Sequence, residues 1–535
     1  MRLLSLSWQG VMEYVSTAEK LHNPNIPVFP SSFITFSHDA FAPHPLETFI
    51  FITNLLTSAC KEAIYCTLAR EMIVYSLPAY HSGLKIKKHI VIQEFYMQEI
   101  KVGLIGFGTV GSGLAEVLYE QQERLKKRVG ASIRLTKVAD IMVKSLPEHI
   151  ARNGKVILTN DANEIFTDPE ISIVVELIGG IEPAKSFILK AIDHGKHVVT
   201  ANKALLSQHG KEIFAAAASK GVEVGFEASV GGGIPVIKSL KEGLVGNRIL
   251  SIMGIMNGTA NYILTQMTDH STPFEEVLKD AQKKGFAEAD PTYDIEGIDT
   301  AHKLVILMTI AYGMYIRLDQ VTTEGISRIQ PIDIDFAKEF GYRIKLLAIS
   351  RNHGDHVEAR VHPTMVPEEH LLANINGAYN AIHFTGDMVG NVVLYGMGAG
   401  MMPTGSAVVA DIVDIARNIL SDAVQRVPAL SYLPENFRPR NITPLEDLHC
   451  PYYFRMTALD KPGVLSTIAG ILGNHGISIE SVIQKGRGHK ESVPLVILTH
   501  EAGEASVRQA IAEIDALDIV TDKTVKIRIL EDNGE

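Results

Sequence analysis

The run from Ile100 to Leu114, Ile-Lys-Val-Gly-Leu-Ile-Gly-Phe-Gly-Thr-Val-Gly-Ser-Gly-Leu, constrains this chain more than any other stretch. An apolar segment, Val102 to Ile105, reads as a buried strand. It breaks at Gly106-Phe107-Gly108-Thr109-Val110-Gly111, and a helical pattern follows through Leu114, Val117 and Leu118. Strand, G-x-G-x-x-G and helix in that order make a dinucleotide site. Gly106 supplies the tight turn, Gly108 lets the backbone approach a pyrophosphate, and Gly111 lets helix and strand pack closely. The helix then offers free N–H groups and a favourable dipole to the phosphates. The plainer alternative is an ordinary glycine-rich βα turn; the strand before it and the helix after it weigh against that.

Strand and helix patterns alternate from Lys101 to about Thr200. A second strand, Ser132 to Val138, ends at Asp140, where an acid commonly holds the ribose hydroxyls of NAD and repels a 2′-phosphate. Lys144 and Arg152 follow nearby and can offset it, so NAD and NADP both stay open. Ile173 to Ile178 reads as a third buried strand closed by Gly179-Gly180, and His197 to Thr200 as a fourth, followed by Ala201-Asn202-Lys203. Parallel strands point their C-terminal ends at the ligand crevice. Gly179, Gly180, Thr200, Asn202 and Lys203 are therefore expected at the nicotinamide end. A strand-end lysine is more often a solvated charge; its place beside a cofactor argues otherwise.

Composition narrows the partners. A formal net charge of −11 argues against nucleic acid or an anionic membrane surface. The three cysteines, Cys60, Cys66 and Cys450, have no metal spacing and form no disulfide framework, which fits a reducing cytoplasm. The apolar runs Thr48 to Cys60 and Leu304 to Ile316 fall short of the roughly 18 residues of a membrane span. Residues 1–96 lack sustained periodicity and hold the only tryptophan, Trp8; they read as a disordered leader or a mis-assigned start before Met97, with an organellar or regulatory extension as the competing reading.

The middle of the chain reads as a substrate domain. Phe226-Glu-Ala-Ser-Val-Gly-Gly-Gly-Ile-Pro235 is too glycine-rich for a strand and enters a helix at the proline. Such a loop can turn several carbonyls inward around a small, hard cation. Further on, Asp299 and Lys303 are four apart and share one helix face. The helix continues as Leu304-Val-Ile-Leu-Met-Thr-Ile-Ala, apolar all round and hence buried. Glu288, Asp290, Asp294 and Glu296 precede it. A surface ion pair is the bland reading, but several charges at the mouth of a buried helix favour a polar pocket. Strand-like alternation follows at Val357 to Val361, Ala381 to Thr385 and Asn391 to Tyr395, consistent with a sheet that joins subunits. Met401 opens a helix through about Asp422. Prolines 428, 434, 439, 444 and 451 mark a stiff, extended linker. A βαββαβ unit closes the chain, with its hairpin at Gly486-Arg-Gly-His489.

Six motifs in order resemble homoserine dehydrogenase. They are Gly106 to Gly111, Glu176-Leu-Ile-Gly-Gly180, Val198-Val-Thr-Ala-Asn-Lys203, Phe226 to Pro235, Asn257-Gly-Thr-Ala-Asn261 and Gly285-Phe-Ala-Glu-Ala-Asp-Pro291. The C-terminal Asp460-Lys-Pro-Gly463 with Asn474-His-Gly-Ile-Ser-Ile479 resembles an ACT domain, a small-molecule sensor that binds amino acids. The resemblance implies an α/β chain with three parts. They are a Rossmann dinucleotide-binding domain at 97–224, an α+β substrate and dimerisation domain at 225–403, and a ferredoxin-like ACT domain at 451–535. Residues 404–424 would return as a helix to the cofactor domain, and 425–450 would be the linker.

It also implies the chemistry: reversible NAD(P)H-dependent reduction of L-aspartate 4-semialdehyde to L-homoserine, in threonine, methionine and isoleucine biosynthesis. Lys303 and Lys203 would be catalytic, with Glu288, Asp294 and Asp299 on the substrate. The cofactor would meet Gly106 to Gly111, Asp140, Gly179, Thr200, Lys203, Gly285 and Gly400. A sodium-like ion would sit on the backbone oxygens of Glu227, Val230, Gly232 and Ile234. A homodimer or homotetramer inhibited by an amino acid, threonine first, is expected. Two alternatives stand beside it: an oxidoreductase of another small aldehyde, and a cofactor-binding amino-acid sensor without turnover.

Overall fold

In the computed structural model, residues 98–152, 155–484 and 492–531 are described, together with the backbone of three short antiparallel strands, Ser5–Leu6, Met72–Val74 and Ile90–Gln93. The rest of the expected leader, Met97 and the expected hairpin at 486–489 lie outside the described residues. The chain forms two units, Met1–Gln98 and Glu99–Glu535, and the second carries the cofactor, substrate and C-terminal parts.

The cofactor half is built from β1 (Glu99–Ile105), α1 (Thr109–Glu120), β2 (Ser132–Ala139), β3 (Ile157–Thr159), β4 (Ile171–Glu176), α2 (Ala184–Asp193), β5 (His197–Thr200), α3 (Lys203–Lys220) and β6 (Val224–Gly225). Its six strands are parallel in the order β3-β2-β1-β4-β5-β6, the doubly wound arrangement in which ligands lie at the carboxyl ends. β1, β4 and β5 are apolar and buried on both faces, which is why they read as continuous hydrophobic runs. The third strand in chain order is Ile157–Thr159, announced only by the three-residue apolar run Val156-Ile157-Leu158; Ile171–Glu176 is the fourth.

The substrate half contains β7 (Ile249–Ile255), α4 (Gly258–His270), α5 (Phe274–Lys283), α6 (Ile298–Tyr312), α7 (Pro331–Glu339), β8 (Tyr342–Arg351), β9 (Arg360–Pro367), β10 (Tyr379–Gly386) and β11 (Gly390–Met397). Helices α4, α6 and α7 pack on this sheet. Every residue of α6 from Asp299 to Tyr312 is buried. The expected strand at 357–361 is displaced: Val357 ends a two-residue strand, and β9 begins only at Arg360. Helix α8 (Met401–Leu420) then packs against α1 so closely that a Cβ on Gly113 would lie 2.2 Å from the Met401 carbonyl oxygen.

The C-terminal unit, β12 (Tyr452–Leu459), α9 (Val464–Asn474), β13 (Ile479–Gln484), β14 (Ser492–Thr499), α10 (Glu504–Ile514) and β15 (Val520–Ile529), has the ferredoxin-like order β15-β12-β14-β13. It is not an appendage on a tether. β15 pairs in parallel with β9 through Thr364–Arg528 and Met365–Ile529, so one sheet runs β11-β10-β7-β8-β9-β15-β12-β14-β13. The 425–450 segment is likewise no extended spacer. Tyr432 donates its hydroxyl to the Ala311 carbonyl at 3.2 Å, Phe437 stacks on Tyr315, and Asn441–Ile442 pairs with His356–Val357. The prolines there shape turns that lie on the body because aromatic side chains between them find apolar partners. Among the described residues, no helix is long and apolar enough to cross a membrane.

Two buried ionic clusters weld the C-terminal unit to the substrate half. Asp333 of α7, fully buried, accepts from Arg455 Nε at 2.6 Å and Nη2 at 3.2 Å and from the Tyr453 hydroxyl at 3.0 Å. Arg528 donates to both oxygens of Glu324 at 2.9 and 2.8 Å and to both oxygens of Glu504 at 2.9 Å. Although burial raises it, Glu504 is held down to about 2 by Arg528 and Lys526. Replacing Asp333 by alanine strands Arg455 in the interior and is expected to cost about 3–5 kcal/mol in urea unfolding. The double replacement Asp333→Leu with Arg455→Met should recover most of that. A single variant with unchanged stability would mean that Arg455 finds water when its partner is removed.

Candidate active site

The glycine turn takes the form that its residues predict. Gly106 has φ +95°, and a Cβ there would strike the Leu177 carbonyl at 2.8–2.9 Å. A Cβ on Gly111 would lie 2.2 Å from the Gly106 oxygen, so only glycine lets α1 start against β1. Gly108 faces open space. The N-terminus of α1 carries no side-chain cap and no acid in its first turn, which leaves its N–H groups for an anionic ligand. Asp140 accepts from Phe107 N–H at 2.7 Å through one oxygen and from Met142 and Val143 N–H at 2.7 and 3.1 Å through the other. Burial would raise its pKa, but these three bonds outweigh it and keep the carboxyl below the usual range. Asp140 therefore braces the turn as a carboxylate. Of the two nearby bases, Arg152 pairs with Glu148 and Lys144 stays exposed.

The ends of β4 and β5 are tied together by Glu176, whose role could not be read from the sequence. Its buried carboxyl accepts from the Thr200 hydroxyl at 2.7 Å and from Ile178 and Gly179 N–H at 2.8 and 3.2 Å. Desolvation raises its pKa. Thr200 is thus fully buried, its hydroxyl committed to Glu176 and to Asn202 N–H. It shapes the strand end rather than offering a free donor. Asn202 caps α3 by accepting from Leu205 N–H at 3.1 Å and donates to the Gly180 carbonyl at 2.6 Å. Lys203, the first residue of α3, follows directly.

Asp299, in the first turn of α6, brings the two lysines together. Its Oδ1 lies 2.9 Å from Lys203 Nζ and its Oδ2 2.7 Å from Lys303 Nζ. Lys303 also donates to the Met256 carbonyl at 2.5 Å. Lys303 and Asp299 are buried, whereas the Lys203 side chain is 41% exposed and opens the site to the cleft. The electrostatics separate the lysines. Burial, and secondarily Lys203, push Lys303 below the ordinary lysine range despite Asp299; Asp299 holds Lys203 above it. Asp299 itself, although buried, is kept well below the carboxylate range by the two ammonium groups. A helix N-terminus favours that anion further.

Asp294 reaches the same place through Asn257, whose amide donates to Asp294 Oδ1 at 2.7 Å and Asp299 Oδ2 at 2.9 Å. Asn257 also caps α4, accepting from Ala260 N–H at 2.8 Å. This structural duty masked its place in the site; N-G after a strand was the signal available. Glu288 is exposed and near enough to act on Lys203 electrostatically. The other two acids turn away: Asp290 caps Thr292, and Glu296 accepts from the Ser327 hydroxyl. His302 lies beside the lysines with Nδ1 2.5 Å from the Ser207 hydroxyl and Nε2 without a hydrogen bond among the described residues. Gly285 ends α5 with φ +75° and faces open space, and Gly400, φ +127°, precedes α8.

The loop Phe226–Pro235 is buried except at Gly233 and Pro235, and Gly231 and Gly232 both take positive φ. Its carboxylate does not point at the carbonyls. Glu227 Oε1 and Oε2 accept from Ile237 and Lys238 N–H, each at 2.8 Å, capping the short helix behind. The Val230 and Gly232 carbonyls accept no hydrogen bond among the described residues, while those of Glu227 and Ile234 each accept one. A carbonyl has two lone pairs, so each of the four keeps at least one for a cation to take.

Comparison with known proteins agrees with this geometry domain by domain. Residues 106–227 match the model for the homoserine dehydrogenase NAD binding domain, 235–413 that for homoserine dehydrogenase, and 452–518 that for the ACT domain. The homoserine dehydrogenase of Pseudomonas aeruginosa is 46% identical over 434 residues, which cover 81% of this chain and 99% of that relative. The chain belongs to the homoserine dehydrogenase family. The Neisseria gonorrhoeae homoserine dehydrogenase is also 46% identical over 435 residues, covering 81% of this chain and 99% of its own. The crystal structure of a homoserine dehydrogenase from Thiobacillus denitrificans matches with TM-score 0.76 at 49% identity, covering 81% of this chain and 99% of that one. As a homoserine dehydrogenase the chain is an oxidoreductase with a nicotinamide-nucleotide domain and an ACT domain. The alternative of a sensor without turnover falls with that assignment.

Proposed function

We propose that Lys203, Asp299 and Lys303 carry out the proton chemistry of the reversible reduction of L-aspartate 4-semialdehyde to L-homoserine. The observation behind this is one carboxylate bridging two lysines from different halves of the chain, one partly exposed and one buried. A nicotinamide, NAD or NADP, supplies the hydride when bound. Negative charge develops on the aldehyde oxygen in the reducing direction. Lys303, its pKa lowered toward working pH, gives that oxygen a proton and takes it back in the oxidation. Lys203 stays charged and stabilises the same oxygen electrostatically. Asp294 and Asp299, held in register by Asn257, and Glu288 at the rim form the anionic surface an α-ammonium needs.

A sodium-like ion on the carbonyls of Glu227, Val230, Gly232 and Ile234 would brace the loop that abuts Gly398, where a Cβ on Gly232 would lie 2.5 Å from backbone. The chain acts as a cytoplasmic homodimer or homotetramer of amino-acid biosynthesis, inhibited by threonine at the ACT domain. The shared sheet supports such inhibition, since β15 joins β9 without a hinge. The test follows NADH and NADPH oxidation by the full chain with aspartate semialdehyde, with and without sodium and threonine. Turnover that needs the semialdehyde is expected with at least one cofactor, lower in threonine. No turnover with either cofactor would refute the assignment of chemistry. Indifference to threonine, methionine and lysine alike would refute the regulatory part alone.

A further inference from the structure

A cavity of about 240 Å³ lies between the C-terminal part of α3, the start of the 226–235 loop, the turn at 237–242, α8 and residues 425–437. Of the candidate site residues only Glu227 lines it. Its walls are mainly apolar, with Phe214, Phe226, Leu430 and Phe437 among them. Most of the charged groups around it are satisfied. Glu223 accepts from Asn418 at 3.0 and 3.1 Å and from Gln425 N–H at 2.6 Å, and Lys238 pairs with Asp414 at 3.0 Å. Two are not. Lys241 makes no hydrogen bond or ion pair among the described residues; its ammonium sits 5.6 Å from the Phe226 ring centroid. Asp411 makes no ion pair among the described residues, and its one hydrogen bond there is accepted from Glu227 N–H at 2.8 Å.

One ammonium that makes no hydrogen bond among the described residues and one carboxyl with a single one, in a mainly apolar chamber, complement the two ends of a zwitterion. The two groups are half-buried and act on each other electrostatically without an ion pair, so a ligand that hydrogen-bonds both gains where an apolar molecule would not. The volume lies below the roughly 300–1,000 Å³ of drug-sized pockets and suits a smaller molecule. We propose that this cavity binds a free α-amino acid with an apolar side chain, its carboxylate on Lys241 and its ammonium on Asp411. The site is separate from the C-terminal unit, and nothing in it depends on the reaction proposed above.

The test is calorimetric titration of the full chain with L-leucine, 4-methylpentanoate and 3-methylbutylamine, the last two lacking the ammonium and the carboxylate respectively. L-Leucine should bind, and each truncated probe should bind about tenfold more weakly or worse, the loss of one charge-assisted hydrogen bond. Lys241→Met should weaken L-leucine to the same degree and Lys241→Arg should retain it. Asp411→Asn should weaken L-leucine but leave 4-methylpentanoate unchanged. Melting temperatures establish that each variant is folded. Absence of L-leucine binding at millimolar concentration overturns the proposal, as does undiminished binding to folded Lys241→Met, which would place the ligand elsewhere.

Discussion

Lys303→Met is expected to lower kcat by about 10²-fold or more while leaving the protein folded, because a positioned proton donor is removed at nearly constant volume. The fold should survive because Asp299 keeps Lys203 at 2.9 Å and Asn257 at 2.9 Å. The same variant should lose its pH dependence in the range where Lys303 titrates. With its pKa below the ordinary lysine value, the protonated form that reduces the aldehyde disappears as pH rises, earlier than for a free lysine. Homoserine oxidation, which needs the neutral amine, should rise over that interval. Steady-state kinetics across pH in both directions, beside a melting curve, decide the matter. A folded variant with normal kcat would leave Lys303 as no more than a partner for Asp299.

Asp299→Asn should act differently. It keeps the volume and the hydrogen bond from Asn257 but leaves two ammonium groups without their shared counter-ion. Asp299 raises the pKa of both lysines, so its loss lowers both, and the acidic form that serves reduction is lost at lower pH than in the parent. The KM for homoserine should rise by about tenfold or more as the substrate ammonium loses a buried partner. Asp299→Ala, which also removes the hydrogen bond, should cost about 3–5 kcal/mol in addition. An unchanged KM and an unshifted pH profile in Asp299→Asn would put the carboxylate outside the pocket.

What could be read from residues alone was local. The turn at Gly106 to Gly111, the strand ending at Thr200 and the buried helix from Asp299 each carry their own local pattern. Strands β7 and β8 were harder to see. β8 is buried along nearly its whole length, and a strand buried on both faces shows no alternation. Asn257 and Glu176 were visible only as members of motifs, because one reads as a helix cap and the other as the end of an apolar strand. The linker prolines suggested a stiff spacer, but the aromatic side chains between them decide where the segment lies.

The sequence by itself determined the doubly wound cofactor half, the placement of Lys203 at a strand end and the spacing of Asp299 and Lys303, since each follows from the pitch of a helix or the pleat of a strand. Only the tertiary structure decided which lysine is buried and which is open, and so which has its pKa lowered. It also decided that β9 and β15 pair across the sequence to make one sheet of the substrate and ACT domains. Burial and long-range pairing depend on what the rest of the chain brings alongside, and no local pattern of side chains encodes that.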